Sequence, residues 1–198
     1  MSNSPKTGIV VPTRGLVFTE TIIGLLDGFA GRDYKIYLSH NLPTPESFNS
    51  LIRRAIDDGN DYILITNDDV VLNKRIVDKL FDKCSDIAFC PCYIGDFPGY
   101  YEKDGEVTMI GTSAVLVSRK AMCEIGELRT DKTYVKIGGE EQILNKPYKF
   151  GGEEVSFSKK ALELGYKLEK IDDVARHLRL VELGEHRSNN GLHRIEEA

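Results

Sequence analysis

Tyr62-Ile63-Leu64-Ile65 is apolar throughout and runs straight into Thr66-Asn67-Asp68-Asp69. A strand with one wet face would alternate polar and apolar residues. An unbroken apolar run suits a strand covered on both faces, as in a parallel sheet between two helix layers. The segments around it fit that demand. Gly8 to Pro12 reads as a short buried strand ended by proline, and Phe18 to Phe29 as a helix. Tyr34 to Leu38 is a second strand. A helix follows, with Thr44 as N-cap, Pro45 at its first position and Phe48, Leu51, Ile52, Ala55 and Ile56 on one face. After the third strand come a helix from about Asn73 to Cys84 and the strand Ile87 to Cys90. The order β-α-β-α-β-α-β predicts an α/β protein with a mostly parallel, Rossmann-like central sheet flanked by helices.

The chain has 198 residues, enough for one sizeable core, so the expectation is a single domain over 1–198. Net charge is −5, which advertises no general nucleic-acid surface. No apolar run approaches the roughly 20 residues of a membrane helix. The start, MSNSPKTGIVVP, lacks the apolar core of a signal peptide, and a cytoplasmic location is expected. Cys84, Cys90, Cys92 and Cys123 lack the spacing of zinc sites and read as reduced thiols.

Beyond Tyr93 the pattern loosens. Gly95 to Gly105 reads as a loop, Glu106–Ile110 and Ser113–Ser118 as strands around Gly111, and Arg119–Ile125 as a short helix. Leu128 to Phe150 is polar and rich in lysine and arginine; a loop of that length suits a lid over a site. A helix follows Gly151-Gly152, with Lys167–Ile171 as a last strand and a polar tail from 181 to 198.

In open α/β sheets ligands bind beyond the carboxyl ends of the strands. The polar residues expected there are Thr13, Arg14, Ser39, His40, Asn41, Asn67, Asp68 and Asp69. Adjacent carboxylates repel unless a cation or hydrogen-bond donors satisfy them, and oxygen ligands suit Mg²⁺ or Mn²⁺. The same residues would also serve as a helix-capping turn. The sequence GGEE occurs at Gly138–Glu141 and again at Gly151–Glu154. Glu153 and Glu154 open a helix, where amide dipoles favour negative charge. Glu140 and Glu141 precede no clean helical period and are expected in the loop.

Four stretches, in order, resemble the nucleotide-sugar-dependent glycosyltransferases of the GT-A fold, the family 2-like superfamily. They are IVVPTRG, DYILITNDDVVLNKRIVDKL, GTSAVLVSRKAMCEIGEL and GGEEVSFSKKALELGYKL, and together they span about residues 8 to 177. The resemblance implies a nucleotide-sugar-binding half over about 8–93 and an acceptor or catalytic half over about 105–180. It implies donor contacts at Pro12, Thr13, Arg14, Asn41, Asn49, Asn67, Asp68 and Gly111. It assigns Mn²⁺ or Mg²⁺ to Asp69 and His177, and a general base for the acceptor hydroxyl to Glu154 with Glu153 beside it. The chain departs from the family in three places. Asn67 replaces the first acid of the triplet, Phe48-Asn49 stands where the family has Arg-Asn, and Glu154 replaces the more usual Asp. There is no Q-x-x-R-W, so the processive synthases match poorly, and no tryptophan for sugar stacking.

The implied activity is transfer of a sugar from a UDP- or GDP-sugar to a hydroxyl acceptor, which is a glycan, a lipid-linked glycan, a protein or a modified nucleic-acid base. Two alternatives share the scaffold: a non-catalytic nucleotide-sugar-binding protein, and a nucleotidyltransferase, although VVPTRGL lacks the glycine-rich loop of the pyrophosphorylases.

Overall fold

A computed structural model describes residues 4–13, 15–39, 46–94, 96–128, 135–137, 140–142, 153–180 and 195–197. The first half alternates as expected: β1 (Thr7–Val11), α1 (Thr19–Gly28), β2 (Tyr34–Leu38), α2 (Glu46–Asp57), β3 (Tyr62–Thr66), β4 (Val70–Val71), α3 (Lys74–Lys83) and β5 (Ile87–Phe89). Then come β6 (Tyr100–Lys103), β7 (Glu106–Ile110), β8 (Ala114–Ser118), α4 (Arg119–Ile125), β9 (Val135–Ile137), β10 (Glu140–Gln142), α5 (Glu153–Glu163), β11 (Glu169–Lys170), β12 (Arg176–Leu180) and β13 (Ile195–Glu197). The Thr44–Pro45 helix start lies outside the described residues.

Six strands form the central sheet in the order β11-β5-β8-β3-β1-β2. β1 is parallel to β2 and β3, and β11 is parallel to β5. β8 runs antiparallel to both β3 and β5. This is a mixed α/β, mostly parallel, Rossmann-like sheet. Strand alternation divides the core into two layers. Val10, Ile63, Ile65, Val115 and Val117 face α2, α4 and α5, through Leu51, Ala55, Met122 and Phe157. Ile9, Val11, Leu64, Ala114 and Leu116 face α1 and α3, through Leu25, Phe29, Val77 and Leu80. Both faces of β3 are therefore covered, which is what its unbroken apolar run required.

Local chemistry fixes the helix ends. Asn73 Oδ1 accepts from the Ile76 amide at 3.0 Å and caps α3. Ser118 Oγ accepts from the Ala121 amide at 3.2 Å and caps α4. Gly24 lets α1 lie directly on the chain that leaves the acidic triplet: a Cβ there would stand 2.9 Å from the Leu72 carbonyl oxygen. The Phe18 amide also donates to the Asp68 carbonyl at 3.1 Å, tying the start of α1 to the triplet.

Three expectations need correction. The 95–105 segment is not all loop, because Tyr100–Lys103 pairs antiparallel with β7 as a hairpin. Residues 128–150 include the antiparallel pair β9–β10, and Glu140 and Glu141 belong to its second strand. The polar end of the chain contributes β12 and β13: β12 pairs with β4 on one side and β13 on the other. No helix among the described residues is long and apolar enough to cross a membrane.

Candidate active site

The carboxyl edge of the parallel strands gathers the polar chemistry. β1 ends at Pro12-Thr13, β3 at Asn67-Asp68-Asp69 and β5 at Cys90-Pro91-Cys92. Because β8 runs the other way, its beginning lies at the same edge, with Thr66 opposite Ala114. That register brings Gly111 to Ser113 beside the triplet. Thr66 Oγ1 donates to the Ser113 carbonyl at 2.7 Å, and Asn67 Nδ2 donates to Ser113 Oγ at 3.2 Å.

Asp69 meets His177 across 108 residues of chain. The antiparallel β4–β12 pairing sets His177 opposite Val70, and the Leu178 amide donates to the Asp69 carbonyl at 2.7 Å. His177 Nε2 then lies 3.0 Å from Asp69 Oδ2. Asp69 Oδ1 and His177 Nδ1 are both buried and find no hydrogen-bond partner among the described residues. These two side chains, each with an unsatisfied buried atom, are the residues that could hold a metal ion at this edge. Among the described residues no third His, Cys, Asp or Glu joins them.

A cleft opens along the same edge. Asn67, Ser113, Gly111 and Glu154 give it polar surface, and Cys90, Cys92, Ile94, Phe97 and Met109 an apolar wall. Its floor depends on Gly99, whose φ of +76° suits glycine. A Cβ there would fall 2.6 Å from the Cys92 carbonyl oxygen. The Gly111 amide donates to the Gly99 carbonyl at 2.7 Å, closing the hairpin end onto the end of β5. Burial pushes the Cys92 thiol up to about 12, with the Asp69 charge adding to it, so this wall is chemically inert.

Glu153 and Glu154 open α5, and Glu154 lines the cleft. Burial, with the neighbouring Glu153 charge adding to it, raises the Glu154 carboxyl from its ordinary 4.5 to about 7. Burial raises Glu153 as well. A carboxyl poised near neutrality in a cleft is suited to proton transfer.

Several expected donor contacts lie elsewhere or are engaged. Thr13 Oγ1 closes a local turn, donating to the Leu16 carbonyl at 2.6 Å and accepting from the Gly15 amide at 3.0 Å. Pro12 precedes it at the strand end. Asn49 is not a cleft residue: its Nδ2 donates to the Leu128 carbonyl at 2.7 Å and its Oδ1 accepts from the Leu128 amide at 2.8 Å. Arg14, Asn41 and most of the 128–150 segment lie outside the described residues. Sequence reasoning missed Ser158, which is 1% exposed and holds the start of α5. Its hydroxyl accepts from the Ile110 amide at 3.0 Å and donates to the Glu154 carbonyl at 2.8 Å. A serine among the apolar positions of the predicted helix was its one visible signal.

Comparison with known proteins speaks to the fold. No protein-family model matches the chain, and no curated protein matches it in sequence. The structure is similar to that of A197 from STIV, with a TM-score of 0.57 and 15% identity, covering 90% of this chain and 86% of that one. It also overlaps a protein from Desulfovibrio desulfuricans G20 provisionally described as a nucleotide-diphospho-sugar transferase. There the TM-score is 0.46 and the identity 13%, over 88% of this chain and 81% of that one. At these identities the first likeness defines a shared fold and no more, and the second is too slight to add to it.

Proposed function

We propose that this chain is a metal-dependent glycosyltransferase that moves a sugar from a nucleoside-diphosphate sugar to an acceptor hydroxyl. The observation that carries the reading is a convergence at one sheet edge. Asp69 and His177, an oxygen–nitrogen pair with unsatisfied buried atoms, lie where β3 ends, and the same edge holds Asn67 beside a cleft containing a carboxyl poised near neutrality. The four-motif resemblance to GT-A enzymes supports the same assignment independently of the geometry.

In this reading Asp69 and His177 hold Mn²⁺ or Mg²⁺. Such an ion, when bound, would neutralise the negative charge of the departing nucleoside diphosphate. Asn67 and Asp68 would contact the ribose, with Pro12 and Thr13 toward the base. Glu154 takes the proton from the acceptor hydroxyl as that oxygen attacks the anomeric carbon. The desolvation that raises Glu154 suits it to this task, because the ionised form is held high enough in energy to accept a proton near pH 7. Ser113 orients the Asn67 amide, and the apolar wall keeps competing water from the base.

Calorimetric titration with UDP, GDP and their sugar conjugates, with and without Mn²⁺, tests the donor site. Metal-dependent binding of one nucleotide, lost in Asp69→Ala, is the expected result. Absence of binding to every nucleotide in the presence of metal would refute the reading. Binding without turnover would make the chain a nucleotide-sugar-binding protein instead.

A further inference from the structure

The geometry points to Ser158 as a positioning residue that registers the Glu154 carboxyl to the floor of the cleft. The proposal rests on the reading of Glu154 as the base, but its test does not require turnover.

A hydroxyl inside a helix commonly bonds back to the carbonyl one turn earlier, and that alone would be a local matter. Ser158 does more. Its hydrogen goes to the Glu154 carbonyl at 2.8 Å, and its oxygen accepts from the Ile110 amide at 3.0 Å on a different element. One side chain therefore joins the first turn of α5 to the last residue of β7. Ile110 and Ser158 are 0% and 1% exposed, so both bonds are shielded from water in the folded protein, and losing either leaves a buried polar group unpaired.

The link continues in covalent and hydrogen-bonded steps to the rest of the site. Gly111, next to Ile110, donates to the Gly99 carbonyl at 2.7 Å. Gly99 in turn sits against the Cys92 carbonyl at the end of β5. Gly111, Gly99, Cys92 and Glu154 all line the same cleft. The chain of contacts Glu154–Ser158–Ile110–Gly111–Gly99–Cys92 thus ties the backbone of the turn that carries the carboxyl to the sheet edge that carries Asn67. A helix start, left to itself, frays readily, because its first amides lack intrahelical partners. A base must be held within hydrogen-bond reach of the proton it removes, and loosening by an ångström is costly. Ser158 supplies that anchoring one turn below the carboxyl, on the buried side of α5 beside Phe157 and Ala161.

The test follows the Glu154 carboxyl by ¹³C NMR in protein labelled at glutamate, with the resonance assigned by its loss in Glu154→Gln. The full chain is titrated without ligand. The wild type is expected to titrate near 7. Ser158→Cys keeps the side-chain shape with a slightly larger atom but not the strong hydroxyl bonds, and frees the helix start to hydrate. Its Glu154 midpoint should fall by at least about one pH unit toward the ordinary carboxylate range. Ser158→Thr keeps the hydroxyl and should restore the wild-type midpoint, together with slow hydrogen exchange at the Ile110 amide. Ser158→Ala should match Ser158→Cys. Folding of every variant is checked by circular dichroism, and the Cys–Thr comparison stands if the alanine variant does not fold. Unchanged midpoints in Ser158→Cys and Ser158→Thr alike would overturn the proposal. That outcome is separate from a failure of the transferase reading, which is decided by metal-dependent nucleotide binding.

Discussion

Replacing Glu154 by glutamine should make this protein more stable at alkaline pH while removing the proposed proton acceptor. The effect follows from the sign of the carboxyl's displacement. In the folded chain Glu154 titrates near 7 rather than at its ordinary 4.5, chiefly because burial penalises the ionised form. Between those two values the folded protein holds a proton that the unfolded chain releases. Folding then takes up a proton, and stability falls as pH rises. The contribution is fully present below about pH 4.5 and is lost by the time pH passes 7. Moving a carboxyl from 4.5 to about 7 corresponds to roughly 3 kcal/mol, at ~1.4 kcal/mol per pH unit. Glutamine has nearly the same shape and never ionises, so Glu154→Gln escapes the penalty.

Urea unfolding of wild type and Glu154→Gln, taken from pH 4 to pH 9, measures the difference directly. The two curves should nearly coincide at pH 4, separate through the window from 4.5 to 7, and then run parallel with the variant more stable. In thermal unfolding the separation at pH 8 should be on the order of 10 °C for a domain of this size. Glu153, which burial also raises, is present in both proteins and cancels in the comparison apart from its repulsion by its neighbour. A difference independent of pH would refute the reasoning, because Glu154 would then be hydrated and unsuited to act as a base near neutrality. Stability sacrificed at one carboxyl in a cleft is a signature of function rather than of packing.

Two structural predictions accompany it. Asn49→Ala removes both hydrogen bonds to the Leu128 backbone and should cost about 1–3 kcal/mol in urea unfolding, while nucleotide affinity measured by calorimetry stays unchanged; a fall in affinity instead would return Asn49 to the donor site. Gly99→Ala places a methyl 2.6 Å from the Cys92 carbonyl at a φ of +76°. It should cost at least about 2 kcal/mol, and a variant as stable as wild type would show that the cleft floor is not built as described.

The central sheet was legible because its signal is dense and local. Apolar runs on β1, β3 and β5 and the helices α1 and α3 between them read correctly to within a few residues. The second half was harder for a physical reason. Tyr100-Tyr101-Glu102-Lys103 has no strand-like alternation of its own, and three of its four residues are exposed. It becomes a strand by pairing with β7 and by packing of the Tyr100 ring, tilted, against Phe89 at a centroid distance of 5.5 Å. Two-residue β4 is set by its β12 partner rather than by its own propensity. Glu106–Ile110 and Ser113–Ser118 read as two strands around Gly111, but their sequence does not say which partners they take: β7 pairs with β6, while β8 enters the main sheet between β3 and β5.

The site divides along the same line. Asp68-Asp69 and Glu153-Glu154 stand out because adjacent carboxylates are conspicuous anywhere in a sequence. What their neighbours do is not written locally. His177 gains meaning from a register, since a slip of one residue in the β4–β12 pairing would turn it to the opposite face. Ser158 and Asn49 are ordinary polar residues within amphipathic helices, and each acts through a backbone partner far away: Ile110, at 48 positions, and Leu128, at 79. A carboxylate can be recognised by its type, whereas a residue that positions it is recognised only by where its bonds end. For this chain the groups suited to react were therefore visible first, and the contacts that hold them in place emerged only with the fold.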